Sequence, residues 1–330
     1  MSSAPPNGSL EEGRLAAAQA KRYSTSTCIF AAVFYGFTSI SITFFNKATL
    51  SVWDFNFSNI MTMGQMVFSI FVLWFLKAFG MISYPSFSWS TSKALIPLTF
   101  SFVSMVVTGL AALRLVNIAM FSVLRRGTTL LVMVAEYYMM GKVAPWNVRL
   151  SVVLMIAGAV VAAIWDLTFD LVGYVLTLIN CAVTALYLVH VSKIGKTTGL
   201  NTFALLYYTN VLSLPFMIIV CIATGEAGAV ISYPHLHNPW FQFCFLMSAV
   251  QAVLLNYSIF YCTNINSALT TSVVGHLKNI LTTVLGLFAF GDVPLNTLNV
   301  IGLAISTYGG TWYAYLKYLE SQTQRSSRTA

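Results

Sequence analysis

Ten stretches of predominantly apolar residues recur along this chain of 330 residues, each long enough for an α-helix to cross a membrane. Only 8% of the residues are charged, whereas a soluble domain carries about 25%. This composition excludes a soluble enzyme and a nucleic-acid-binding protein, and it predicts an all-α membrane protein with ten transmembrane helices. The predicted crossings are residues 27–46, 58–79, 94–113, 117–140, 148–165, 170–191, 202–224, 239–262, 267–290 and 297–319.

The distribution of the 17 Lys and Arg residues predicts how the chain is oriented in the membrane. With both termini in the cytosol, twelve of these cations lie on the cytosolic side, two on the luminal side and three inside predicted helices. Lys and Arg in short loops favour the cytosolic side, so this division supports ten crossings. Residues 1–26 are then a cytosolic N-terminal tail without a signal peptide, and residues 320–330 are a cytosolic C-terminal tail.

The three cations inside predicted helices are the strongest functional signal. Arg125 and Arg126 lie in the fourth helix and Lys278 in the ninth, all near the membrane midplane by the helical rise. Charges at this depth are costly and typically face a functional cavity or a partner. Glu136 is too far along its own helix to pair with Arg126, so it is expected to pair elsewhere or to lie near the membrane surface. The surplus positive charge predicts a phosphate-bearing substrate, with at least one arginine and Lys278 in contact with it.

The sequence around these cations is similar in the two halves of the chain. Residues 124–129 resemble residues 277–282, and each segment follows an asparagine and precedes a glycine. Each lies in the fourth helix of a five-helix half. Residues 27–165 and 166–319 are therefore predicted to be two inverted five-helix repeats, a plan in which transporters bind their substrate between the repeats.

Further polar residues are candidates for substrate binding. Tyr207, Tyr208 and Asn210 begin the seventh helix, where an amide suits a nucleobase edge and a tyrosine ring can stack on the base. An aromatic belt at the membrane interface is the alternative interpretation of the tyrosines. Asn46 and Lys47 end the first helix, where Lys47 either guides an anion inward or snorkels to the surface.

The ninth helix adds a second group of candidates around Lys278. Gly275 allows a close approach of backbone and ligand, and His276 either contacts substrate or makes a hydrogen bond that packs the helices. The group comprises Thr271, Gly275, His276 and Asn279. The sequence contains no catalytic triad, phosphate-binding glycine loop or metal-ligand spacing, so no enzyme activity, cofactor or metal is predicted.

Residues 27–319 resemble the nucleotide-sugar transporters of the drug/metabolite transporter superfamily. The resemblance rests on FSVLRR at 121–126, DLTFDLVGY at 166–174, LLYY at 205–208 and NSALTTSVVGHLKN at 266–279. It is closest to the branch that carries UDP-glucuronate, UDP-N-acetylgalactosamine and UDP-N-acetylglucosamine. The GDP-mannose branch has Phe-Tyr-Asn-Asn and Gly-Ala-Leu-Asn-Lys motifs, where this chain has YYTN at 207–210 and GHLKN at 275–279.

The resemblance implies a Golgi or endoplasmic reticulum transporter that exchanges a nucleotide sugar for a nucleoside monophosphate and thereby supports glycosylation. Its partners are then these nucleotides and the lipid bilayer, without nucleic acid, and a homodimer is left open. Arg125 or Arg126, together with Lys278, would hold the phosphates, and Tyr208 and Asn210 would contact the base. The sugar or ribose would lie near Thr271, Gly275 and His276. The alternatives are a GDP-mannose-type transporter, a triose- or pentose-phosphate-type antiporter on the same fold, and a membrane scaffold or receptor.

Overall fold

The computed structural model describes residues 24–116, 121, 124–163, 170–278 and 297–329. Within these residues all regular secondary structure is helical, as the sequence predicts. A single helical turn at Glu226–Ala229 lies between the seventh and eighth of the longer helices. The labelled helices are α1 (Thr25–Lys47), α2 (Ser58–Ala78), α3 (Trp89–Leu115), α4 (Thr128–Met140), α5 (Trp146–Ala163), α6 (Leu171–Thr197), α7 (Thr202–Ala223), α8 (Pro239–Ile265), α9 (268–278) and α10 (Thr297–Thr329).

Six helices of the described chain are long and apolar enough to cross a membrane, which confirms a membrane protein with several spans. They are α1, α2, α3, α6, α7 and α8. The predicted crossings on α4, α5, α9 and α10 fall outside this set, so the number ten stays a prediction. Many large apolar side chains on the spanning helices face outward, among them Phe37, Phe71 and Ile222, as lipid-facing helices require.

Short polar side chains set the points at which several helices begin. The side chain of Asp170 accepts a hydrogen bond from Gly173 N at 2.6 Å before α6, and that of Asn201 accepts one from Ala204 N at 2.8 Å before α7. These caps satisfy backbone N–H groups that have no partner inside a helix. Helices α2, α4 and α7 end at glycines in the left-handed conformation, Gly80, Gly141 and Gly225, which a residue with a Cβ adopts only with strain.

Helices from the two halves of the sequence interlock. The main contacts join α1 to α8, α2 to α7, α3 to α6 and α5 to α10. Each of these pairs takes one helix from residues 27–165 and one from residues 166–319. The two predicted repeats therefore share one core in the described structure, and neither half buries its helices separately.

The pair formed by α2 and α7 is held at both ends. At the start of α2, the Glu226 carboxylate accepts hydrogen bonds from the backbone nitrogens of Asn59 and Ile60, at 2.9 and 3.1 Å. At the other end, the Asn201 amide donates to the Ser83 carbonyl oxygen at 2.6 Å. We call these contacts the Glu226 clamp and the Asn201 clamp.

Helices α5 and α10 approach each other closely because glycines lie at their contact. A Cβ added at Gly158 would lie 2.4 Å from the backbone nitrogen of Ser306, and one at Gly309 would lie 2.8 Å from the Met155 nitrogen. The Ser306 hydroxyl donates to the Met155 carbonyl oxygen at 2.9 Å. Small residues and interhelical hydrogen bonds are the usual means by which membrane helices associate.

This close contact predicts that Gly158→Ala destabilises the protein. The new methyl group would collide with the backbone of α10, and overpacking of this kind typically costs about 1–3 kcal/mol. We expect a lower melting temperature of the detergent-solubilised protein, measured by tryptophan fluorescence. Gly228→Ala is the matched control, because a Cβ at Gly228 meets no atom within 4 Å. Equal melting temperatures for the two variants would contradict the close α5–α10 contact.

Candidate substrate-binding site

The two arginines lie in an irregular part of the fourth helix. Arg125–Gly127 form a turn of 3₁₀-helix immediately before α4, and such turns within a longer helix often mark functional positions. Arg125 lines a cavity of about 200 Å³, and its guanidinium lies 5.4 Å from the centre of the Phe121 ring. Arg126 is only 6% exposed. The structure therefore places Arg125 at the cavity and Arg126 in the packed interior.

Arg126 is buried with an unused donor. Its Nη1 atom has no hydrogen-bond partner among the described residues. Three residues further along, the Thr129 hydroxyl lies 3.0 Å from the hydroxyl of Ser272 on α9. This contact brings the arginine-bearing segment and α9 together.

Lys278 lies at the end of the described part of α9 and contacts α1. Its Nζ donates a hydrogen bond to the Ser39 hydroxyl at 2.5 Å. One turn earlier, a Cβ at Gly275 would lie 3.1 Å from the Tyr35 hydroxyl. A side chain at position 275 would thus crowd Tyr35, which explains why this position suits glycine.

Electrostatic interactions connect these cations across the helices. Arg125 lies within electrostatic range of both Lys278 and His276, and Arg126 lies within the same range of His276. His276 is 5% exposed, and neither of its ring nitrogens has a hydrogen-bond partner in the described structure. The packing hydrogen bond considered for His276 is therefore not formed within the described residues. The structure brings Arg125, Arg126, His276 and Lys278 into one electropositive cluster.

Three carboxylates of the described chain, those of Glu136, Asp170 and Glu226, are engaged in contacts with other groups. Glu136, near the end of α4, forms a 3.1 Å ion pair with Lys142, which lies just beyond that end. Its partner is therefore not one of the two arginines. The carboxylates of Asp170 and Glu226 cap the starts of helices. Neither Arg125 nor Arg126 forms an ion pair with a carboxylate among the described residues.

The tyrosines at the start of α7 pack against the loop between α2 and α3. The Tyr207 ring lies 4.8 Å from that of Tyr84. Tyr208 is fully buried; its hydroxyl donates to Ser86 O at 3.0 Å and accepts from Ser88 N at 2.8 Å. Its hydrogen-bonding groups are thus already engaged in holding the loop, and a contact with a base stays a prediction.

The remaining candidates for substrate binding do not form a single group in the structure. Asn210 is buried on α7 and donates to the Leu206 carbonyl oxygen of its own helix at 2.8 Å. The Asn46 side chain accepts from Ser248 at 2.8 Å and from Gln65 at 3.3 Å, which joins α1, α2 and α8. The buried Thr271 hydroxyl accepts from Thr263 at 3.0 Å. The Lys47 side chain and Asn279 lie outside the described residues.

The structure adds residues that the sequence did not single out. Ser39 binds Lys278, Tyr35 lies against Gly275, and Asn180 of α6 lines the cavity with Arg125. An asparagine inside an apolar crossing is itself a signal, because an amide needs hydrogen-bond partners within a membrane. Ser39 and Tyr35 carry no comparable signal, since hydroxyl groups are common in helices of this kind.

The contacts of Tyr208 predict a structural effect for Tyr208→Phe. Removing the hydroxyl leaves the Ser88 backbone nitrogen without its acceptor, a change that typically costs about 1–2 kcal/mol. We expect a lower melting temperature, with a substrate KM in reconstituted vesicles within about twofold of the wild-type value. Tyr207→Phe is the matched control, because its hydroxyl makes no hydrogen bond within the described chain. A raised KM with unchanged stability would instead support substrate contact by Tyr208.

Comparison with known proteins supports a transporter. UDP-galactose/UDP-glucose transporter 7 of Arabidopsis thaliana is 36% identical, with 91% of this chain and 93% of the relative covered. UDP-sugar transporter sqv-7 of Caenorhabditis elegans is 34% identical, with 89% and 90% covered. One solved crystal structure shares the fold at a TM-score of 0.65 and 14% identity, covering 90% of this chain and all of that one.

These relatives confirm the resemblance to nucleotide-sugar transporters, and they confirm a transporter rather than an enzyme. The model of the Triose-phosphate Transporter family matches residues 26–314. This match includes every described helix that contributes to the electropositive cluster. The chain therefore belongs to the Triose-phosphate Transporter family.

Proposed function

We propose that this chain transports a UDP-sugar across the Golgi membrane into the lumen, in exchange for a nucleoside monophosphate. The observation that carries the proposal is the convergence of Arg125, Arg126 and Lys278 on one electropositive cluster beside a cavity. The names of the relatives support UDP-sugars as the substrate class.

A diphosphate supplies the negative charge that this cluster requires. In the proposed complex Arg125 and Lys278 both bind the phosphates, since they extend from different helical segments and lie within electrostatic range of each other. Arginine offers a planar fork of donors and lysine a point charge, and both bind phosphate well. Arg126 Nη1 and the His276 ring, both buried without hydrogen-bond partners in the described part, supply further polar groups when α4 and α9 rearrange around the ligand.

Ten crossings in two inverted five-helix repeats, with both termini cytosolic, form part of the proposal. The helix contacts support it, because an inverted pair of repeats relates the α1–α8 contact to the α6–α3 contact. Helices α2 and α7, at the same position in each half, both end at a left-handed glycine, Gly80 and Gly225. Since the halves interlock, we propose that bundles mixing helices of both halves move against each other, rather than the halves themselves.

Exchange with a nucleoside monophosphate follows from the same cluster. The monophosphate keeps the base and one phosphate of the nucleotide sugar, so it engages the same cations. An empty cluster of buried like charges is costly in a membrane, which favours return of the carrier with an anion bound. This arrangement accounts for exchange rather than one-way release.

Removal of the Lys278 charge tests the assignment of the site. We expect Lys278→Ala to lower UDP-sugar uptake into proteoliposomes by about tenfold or more, because a charge-assisted contact to phosphate is lost. Lys93→Ala is the matched control, since Lys93 is exposed near the start of α3 and its loss should leave uptake unchanged. Wild-type uptake by Lys278→Ala, at equal protein incorporation, would refute the proposed site.

Substrate exchange separates this function from its alternatives. Proteoliposomes preloaded with UMP should take up labelled UDP-glucose or UDP-N-acetylglucosamine faster than empty ones. Preloading with GMP and supplying GDP-mannose tests the guanine alternative. Stimulation by inorganic phosphate alone would favour a triose-phosphate-type antiporter, and the lack of any stimulation would favour a scaffold or receptor.

A further inference from the structure

The cavity beside Arg125 is lined by α3, by α6 and by the segment that leads into α4. Its lining is mostly apolar, and only two lining side chains, Arg125 and Asn180, are polar. The apolar lining consists of Met105, Val106, Gly109, Leu110 and Phe121. A volume of about 200 Å³ corresponds to about seven water molecules, which is room for one ring of a ligand rather than for a whole nucleotide sugar.

Asn180 offers this cavity one kind of hydrogen bond. Its amide nitrogen donates to the Met105 carbonyl oxygen at 2.7 Å and to the Thr108 hydroxyl at 3.0 Å. Both amide hydrogens are then in use, which fixes the orientation of the amide. Its carbonyl oxygen is buried and has no hydrogen-bond partner among the described residues. Asn180 can therefore serve a ligand only as an acceptor.

Arg125 offers the complementary group. A guanidinium has five N–H donors and no acceptor, so Arg125 can donate to a ligand in the cavity while it also binds a phosphate. The cavity thus combines one hydrogen-bond acceptor on Asn180, the several donors of the Arg125 guanidinium and an apolar lining. A planar ring that has a carbonyl beside an N–H group on one edge fits this combination.

We infer that the cavity binds the uracil ring of the substrate, with the N3–H donating to the Asn180 carbonyl oxygen and a neighbouring ring carbonyl accepting from Arg125. The inference rests on the proposed function, and it assigns the base to this cavity rather than to Tyr208 and Asn210, the residues that the resemblance implies. A sugar ring fits less well, because the apolar walls would leave its hydroxyl groups without partners. Cytosine is disfavoured, since its N3 is an acceptor and would face the Asn180 oxygen.

Ligand analogues test the inference on the unaltered protein. Competition against labelled UDP-sugar uptake is measured for UMP, N3-methyl-UMP and 5-methyl-UMP. We expect N3-methyl-UMP to inhibit about tenfold or more weakly than UMP, because the methyl group removes the donor that Asn180 accepts. 5-Methyl-UMP keeps the hydrogen-bonding edge and should inhibit nearly as well as UMP. Equal inhibition by UMP and N3-methyl-UMP would overturn the inference.

Asn180→Ala then tests whether this residue makes the distinction. The ratio between inhibition by UMP and by N3-methyl-UMP should fall to near one in the variant. Thr184→Ala is the matched control, because the Thr184 hydroxyl lies one turn further along α6 and donates to the backbone carbonyl oxygen of Asn180 rather than to its side chain. A ratio that stays at its wild-type value in Asn180→Ala would overturn the role of Asn180.

The same measurements separate this inference from the proposed function. If no nucleotide inhibits uptake and no UDP-sugar is transported by the wild-type protein, the nucleotide-sugar proposal itself fails. If UMP inhibits but the N3 methyl group has no effect, transport of nucleotide sugars stands and the uracil pocket is refuted. The wild-type comparison needs no variant, so a poorly folded Asn180→Ala protein does not prevent the test.

Discussion

Burial of positive charge between α4 and α9 is the constraint on which the rest of the structure depends. An isolated charge inside a membrane is costly, and the described carboxylates do not pair with Arg125 or Arg126. Glu136 instead neutralises Lys142 beyond the end of α4. The cluster therefore gains stability from a bound anion, and the loaded protein is expected to be more stable than the empty one by mass action. The same property is the physical basis of the proposed binding site.

Around the cluster, a turn of 3₁₀-helix and a glycine accommodate the buried cations, and no described carboxylate pairs with either arginine. The 3₁₀ turn at Arg125–Gly127 directs the two arginines to different surroundings, one to the cavity and one to the interior. Gly275 makes room for Tyr35 beside Lys278. Away from the cluster, α5 and α10 pack backbone to backbone at Gly158 and Gly309, so this close contact is separate from the helices of the proposed binding site.

The sequence predicted those features that can be recognised within a single helix, without knowing which other helices it contacts. Apolar length predicted α1, α2, α3, α6, α7 and α8, and the cost of a buried charge identified Arg125, Arg126 and Lys278. The contacts of Tyr208 and Lys278 were not predictable, because their partners lie 120 and 239 residues away along the chain. Unless the packing of the helices is known, a tyrosine such as Tyr208 that holds a loop cannot be told from one that binds a base, because the local sequence is the same in both cases.

The clamps at the two ends of the α2–α7 pair have a consequence for conformational equilibria. The Glu226 clamp lies at one end of the α2–α7 pair and the Asn201 clamp at the other. In the proposed exchange, a state open at one end would have to release the contacts at that end. Under the proposed exchange, the hydrogen bonds of Glu226 and of Asn201 would contribute to the free-energy difference between states with opposite access. A substitution in either clamp would change apparent affinity through the fraction of protein that is competent to bind, without any contact with the substrate.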